Sequence, residues 1–155
     1  MDRITKSLLE EFVNENTLSA LPEATAFEHF CGSLVTARHF SESFSSEDIS
    51  VGAGGDWGID CITIIVNGCL VTDPEEIEDL EQTNGYLDVT LIFVQAERSS
   101  SFETAKIGQF GFGVTDFLSE SPSLPQNDDV QLAHRIINEI FCLSPVYIPR
   151  RIPCY

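Results

Sequence analysis

Ile59-Asp60-Cys61-Ile62-Thr63-Ile64-Ile65-Val66-Asn67-Gly68-Cys69-Leu70-Val71 is the stretch on which the fold turns. Its first half is rich in β-branched and apolar side chains, the composition of a pleated, buried strand. Asn67-Gly68 supplies two residues that tolerate positive φ, so Cys69-Leu70-Val71 is expected to return as the partner of a hairpin. Upstream, Val51-Gly52-Ala53-Gly54-Gly55-Asp56-Trp57-Gly58 forms a glycine-rich loop entering the strand. Downstream, Tyr86-Leu87-Asp88-Val89-Thr90-Leu91-Ile92-Phe93-Val94-Gln95 is the most strand-like run of the chain, and its nearly continuous apolar content predicts a strand covered on both faces.

Helical patterns surround this pair of strands. Residues 5–15 place Leu8, Leu9, Phe12 and Val13 at helical spacing. A stronger helix is predicted from about Pro22 to Phe40, with Thr25 capping an inner turn and Phe27, Phe30, Cys31, Leu34, Val35 and Ala37 forming a broad apolar face. The acidic segment after Pro74 is either a helical turn or an exposed loop. A further helix is expected from Ser99-Ser100-Ser101 to about Leu118, the serines capping it, with Phe102, Ile107, Phe110, Val114 and Phe117 turned inward. Gly108, Gly111 and Gly113 weaken that helix or let a neighbour approach closely. The last helix is expected from about Asp128 to Phe141. The order suits an α/β (α+β) fold in which a small mixed central sheet is flanked by helices. The expected domain covers residues 1–145, and residues 146–155 read as an extended tail, the start of a further region of a longer polypeptide.

Bulk properties narrow the class. A chain of 155 residues with 43% apolar content is long enough for one domain with a real core. No stretch approaches the roughly 20 uncharged apolar residues of a membrane span, and the first residues lack the apolar run of a signal peptide. A cytoplasmic location is the resulting expectation. Cys31, Cys61, Cys69, Cys142 and Cys154 form no CxxC pair and are expected as free thiols, those in apolar runs acting as small hydrophobes. Twenty-five acids against eight Lys and Arg give a net charge of −17, the wrong sign for a chain that grips nucleic acid unaided.

The residues with chemical potential gather at the ends of the two predicted strands. Magnesium takes hard oxygen ligands, often one or two carboxylates with phosphate oxygens and waters. Asp60 opens the first strand, while Gln95 and Glu97 close the second, two residues apart and so on one face. Glu28, on the second helix, offers a further oxygen. A carboxylate early in an apolar strand is costly to bury without a partner or a metal. The competing reading has Asp60 capping the loop by accepting the amides of residues 54–57. Gly52-Ala53-Gly54-Gly55 does not have dinucleotide-binding spacing and precedes a strand instead of a helix. Trp57 is expected to anchor the loop, His134 to lie at the surface, and His29, His39 and His134 lack a shared metal-binding spacing.

Three blocks carry a resemblance: Gly54-Gly55-Asp56-Trp57-Gly58-Ile59-Asp60, Phe93-Val94-Gln95-Ala96-Glu97 and Ser99-Ser100-Ser101-Phe102. From about Phe27 to Phe117 the chain resembles the N-terminal domain of the AIPR family, the abortive-infection phage-resistance proteins, which is similar to PD-(D/E)XK restriction-endonuclease-like nucleases. The resemblance implies a restriction-endonuclease-like fold, a Mg²⁺ (or Mn²⁺) cofactor, DNA or RNA as substrate, and a role in bacterial defence against phage. It implies Asp60, Gln95 and Glu28 as metal ligands and makes position 97 the place of the motif lysine. Glu97 departs from that pattern, because a carboxylate cannot act as the cation. Arg98 faces away by strand alternation, and Lys106 on the next helix is the migrated substitute to consider. The expected activity is phosphodiester hydrolysis, attenuated or lost through Glu97. Two alternatives stay open, a non-catalytic interaction module on the same scaffold and an acidic protein that binds a basic partner. Self-association is also left open.

Overall fold

The computed structural model describes residues 1–52, 54–99, 103–143 and 154–155. Five α-helices, one 3₁₀ turn and three strands are found there: α1 (Arg3–Glu15), α2 (Glu23–Thr36), the 3₁₀ turn Ser46–Asp48, β1 (Cys61–Val66), β2 (Cys69–Leu70), α3 (Glu76–Asn84), β3 (Val89–Val94), α4 (Thr104–Phe117) and α5 (Asp128–Leu143).

The strands lie in the order β2-β1-β3, and both pairings are antiparallel. The expected mixed sheet is therefore antiparallel among the described strands, with a single parallel bridge between Phe93 and Cys154 at its edge. The hairpin forms as the sequence predicts: Asn67 (φ 52°) and Gly68 (φ 82°) both occupy the left-handed region. Two positive φ values match the right-handed twist of the flanking strands.

Every residue of β1 is buried. Ile62, Ile64 and Val66, with Val89, Leu91 and Phe93 of β3, pack against Ile77 of α3, Val114 and Phe117 of α4, and Val130, Ala133, Ile136, Ile137 and Ile140 of α5. The opposite face carries Cys61, Ile65, Ile92 and Val94 against Val35, Phe40 and Phe44. On that face the hydroxyls of Thr36 and Thr63 meet at 2.8 Å. Phe93 and Phe117 stack edge to face, their centroids 5.5 Å apart. α1 closes on α2 through Leu9, Ala26 and Phe30.

Several sequence-based expectations are corrected. The second helix ends at Thr36, and its N-cap is Pro22 with no side-chain cap, so Thr25 does not have that role. Leu8, Leu34 and Ile107 point to solvent, at 49%, 54% and 52% exposure. α4 starts at Thr104 behind Glu103, not at the serines. The expected inward position of Phe102, the capping by Ser100 and Ser101, and the tail from 146 to 153 lie outside the described residues. The acidic segment is a nine-residue helix because fully buried Ile77 and partly buried Leu80 fasten it to the core, leaving the carboxylates outside. Among the described residues no helix is long and apolar enough to cross a membrane.

Candidate functional site

Asp60 is the last residue before β1, and its amide donates to the Val94 carbonyl at 2.9 Å, continuing the β1–β3 ladder. Its carboxylate accepts the Ala96 amide at 2.6 Å. One side chain thus joins the start of β1 to the Gln95–Glu97 segment, the two places the sequence selected. Burial, opposed by the Ala96 bond and reinforced by the charges of Glu28, Asp56 and Glu97, pushes the Asp60 carboxyl up to about 7.

Glu28 comes from α2, and a Cβ built on Gly52 would stand 3.2 Å from its Oε2 and 3.8 Å from the Asp60 Cα. Burial and the Asp56 charge raise the Glu28 carboxyl above its ordinary value, while Arg98 pulls the other way. Gln95 turns toward the loop: a Cβ on Gly58 would meet its Nε2 at 2.7 Å, with Gln109 Nε2 of α4 at 3.9 Å. The absence of a side chain at Gly58 is what lets Gln95 lie there.

Glu97 does not point freely into this group. Its Oε2 accepts from the Lys106 ammonium and its Oε1 from the Ser99 amide at 3.1 Å. Those bonds hold the Glu97 carboxyl below its ordinary value and raise the Lys106 ammonium. The Lys106 ammonium thus reaches the Glu97 carboxylate from the following helix. Arg98 leaves in the other direction and pairs with Glu23 at 3.4 Å.

The loop-capping role that competed for Asp60 belongs to Asp56. Its Oδ2 accepts the Gly54 amide at 3.0 Å and its Oδ1 the Gly58 amide at 2.9 Å. An acid two residues after or before an amide in a glycine-rich turn is the usual partner for that amide, and this local rule could have found Asp56. Trp57 anchors the loop as expected, its Nε1 donating to the Pro125 carbonyl at 3.0 Å. Asn127 fastens the same loop, donating to the carbonyls of Val51 and Gly54 at 2.7 and 3.0 Å. Trp57 also lies against Gly113, where a Cβ would be 2.9 Å from the Trp57 Cβ.

The remaining candidates are structural. His29 is buried with its Nδ1 3.0 Å from the Ser46 hydroxyl. His134 is half-buried, not at the surface, and sets its ring on Phe117 with a centroid distance of 5.7 Å. All five cysteines are free; Cys61 is buried and Cys31 partly so, whereas Cys142 is exposed in spite of its apolar neighbours. Burial pushes the Cys31 thiol up to about 11.

Glu28, Asp60 and Glu97 thus lie near one end of the sheet, Glu97 tied to Lys106, while Gln95, just past β3, turns its side chain toward Gly58. Among the described residues no three carboxylate, imidazole or thiol side chains converge closely enough to enclose an ion. The donors that are present, the two half-buried carboxylates of Glu28 and Asp60, are hard oxygens of the kind Mg²⁺ accepts, and Mg²⁺ commonly draws only one or two carboxylates from a protein. In chemistry, the set fits that ion.

Comparisons with protein-family models, with curated proteins and with solved structures find no match to this chain.

Proposed function

We propose that this chain is a metal-dependent nuclease-type domain of the restriction-endonuclease-like class, acting on nucleic-acid phosphodiesters. The observation that carries the reading is the Asp60–Ala96 hydrogen bond of 2.6 Å, because it holds a half-buried carboxylate beside the Gln95–Glu97 segment. Glu28 across Gly52 supports it, adding a second carboxylate from a different element. Asp60 and Glu28 would hold Mg²⁺ or Mn²⁺, with the Gln95 carboxamide oxygen as the neutral donor. Such an ion supplies charge to a phosphate oxygen and acidifies a water.

Lys106 is the cation of the site in this reading. Its pairing with Glu97 holds it at the end of β3 and also occupies it, so phosphate must compete with a carboxylate for the ammonium. That competition accounts for an attenuated nuclease without requiring a dead one. The −17 charge adds a general barrier to polyanion binding, so a basic partner or further domains of the same polypeptide belong to the proposal. A role in bacterial phage defence rests on the resemblance of the three sequence blocks alone, as does the AIPR assignment.

Calorimetric titration of Mg²⁺ and Mn²⁺ into the wild-type chain, Asp60→Asn and Glu28→Gln tests this. Saturable binding in the wild type that weakens at least about tenfold in each variant is the expected result. Equal affinity in all three chains would remove the metal from the account. Cleavage of single- and double-stranded DNA and RNA with Mn²⁺ then separates a nuclease from a non-catalytic module on the same scaffold.

A further inference from the structure

Gly52 borders both carboxylate-bearing residues of the site. A Cβ built on it would be 3.2 Å from Glu28 Oε2 and 3.7 Å from the Asp60 carbonyl oxygen. Before it, the Val51 amide donates to the Asp60 carbonyl at 3.0 Å and ties the chain to β1. After it comes the glycine loop, in which Gly54 and Gly55 hold positive φ. Glycines have no side chain to fix their own place, so the loop depends on what grips its main chain. That grip comes from far along the sequence. Asn127, 76 residues after Val51, donates its Nδ2 to the Val51 carbonyl at 2.7 Å and to the Gly54 carbonyl at 3.0 Å. Its own amide donates to the Gly55 carbonyl at 3.3 Å. The other half of the residue opens α5: Oδ1 accepts the Val130 amide at 2.9 Å, and the carbonyl accepts the Gln131 amide at 3.0 Å.

We propose that Asn127 is a positioning residue of the candidate site: by clamping the carbonyls on either side of Gly52 to α5, it sets Gly52 against Glu28 and Asp60 and so fixes the spacing of the two carboxylates. Capping alone accounts for the oxygen of Asn127 and leaves its nitrogen without a purpose. Serine or aspartate would cap α5 as well, but serine has one hydroxyl proton to donate and an ionised aspartate has none. Only a carboxamide can accept from the helix and donate to two loop carbonyls at once. α5 is a firm anchor, because Ile136, Ile137 and Ile140 pack into the core under the sheet. The bond from Trp57 Nε1 to the Pro125 carbonyl, at 3.0 Å, joins the same two segments a second time. The consequence for metal affinity rests on the metal-binding reading given above; the placement of Gly52 by Asn127 does not.

The test compares the full wild-type chain with Asn127→Ser, which keeps a cap and loses the clamp, and with Ile137→Val, which loosens the core side of α5 without touching the loop. Exchange protection of the Ile64 and Ile92 amides reports that each chain is folded. Without metal, the nuclear Overhauser contact between the α-protons of Gly52 and Asp60 should be lost in Asn127→Ser and kept in Ile137→Val. In a calorimetric titration, Mn²⁺ affinity should fall about tenfold in Asn127→Ser, as when a group that orients a metal ligand is removed, and stay within about twofold in Ile137→Val. A contact that survives in folded Asn127→Ser overturns the proposal. So does an Mn²⁺ affinity that is unchanged in Asn127→Ser or that falls equally in both variants. A wild type that binds no Mn²⁺ removes the metal reading itself, and the Gly52–Asp60 contact then decides the placement alone. Should Asn127→Ser lose its core protection, Asn127→Asp takes its place in the contact measurement, since it caps α5 and cannot donate to the loop.

Discussion

The Asp60 carboxylate and the Ala96 amide meet at 2.6 Å, across the end of a sheet whose neighbouring side chains are apolar. That bond favours the ionised form, yet burial and three surrounding carboxylates outweigh it and lift the carboxyl to about 7. A carboxyl whose folded value lies above its unfolded value near 4 adds no penalty when the pH is below both. The penalty grows as pH rises from about 4 to about 7 and is complete above that. In chelator-treated buffer the wild-type chain should therefore lose stability over this window. Asp60→Asn, whose amide oxygen can still accept from Ala96, should flatten the profile and be more stable at pH 8 by on the order of 2 kcal/mol. Denaturant unfolding from pH 4 to 8 measures both. A less stable Asp60→Asn at pH 8 would make Asp60 a plain structural cap.

Lys106 and Glu97 hold each other's charge. Replacing Lys106 with Met should move the Glu97 carboxyl upward, because the largest of the bonds that lower it is gone while the Ser99 amide still holds it down. Carboxyl-carbon NMR titration reads this directly. An unmoved Glu97 would show that the ammonium is not its partner. For the same reason, Glu97→Lys does not simply restore a nuclease motif, since it sets two ammonium groups side by side. Glu97→Gln, which releases Lys106 without repelling it, is the better gain-of-activity variant.

Three glycines of α4 should respond in opposite ways to alanine. At Gly113 a Cβ would stand 2.9 Å from the Trp57 Cβ and 3.0 Å from its carbonyl oxygen, and backbone must yield. Gly113→Ala should destabilise the fold by about 1–3 kcal/mol. At Gly108 and Gly111 a Cβ meets nothing within 4 Å, so each alanine should add about 0.5–1 kcal/mol through helix propensity. Denaturant midpoints that move in the same direction for all three would refute the packing argument.

The Thr36 and Thr63 hydroxyls satisfy each other in a place where water does not reach, at 0% and 1% exposure. Changing either one to valine strands the other and should cost about 1–3 kcal/mol. Changing both removes two polar groups together, so the double variant should lie within about 1 kcal/mol of the wild type. A double-mutant cycle from unfolding curves decides it, and simple additivity would mean that the two hydroxyls do not depend on each other.

Much of this architecture was legible from local chemistry. The β-branched run at 61–66 and the Asn67-Gly68 turn specify the hairpin without outside help. The meeting of Asp60 with the 95–97 segment, seen in its bond to the Ala96 amide, was equally legible. What the sequence hid depends on contacts between distant segments. Nothing local to Asp73–Asn84 shows that Ile77 finds a core to enter, and although Lys106 stood out as a displaced cation, nothing at position 97 shows that Glu97 itself is its partner. Ile107 has the spacing of an inward residue, but the first turns of α4 extend past the apolar surface that would receive it, so periodicity alone misplaces it.

Thr63 also does for the sheet what a key does for a lock. A slip of one residue between β1 and β3 would turn its hydroxyl away from Thr36 and into the face built from Leu91, Phe93, Phe117 and Ile137. Misalignment is thereby penalised at the centre of the strand, and the penalty fixes which residue sits opposite which at the strand's end.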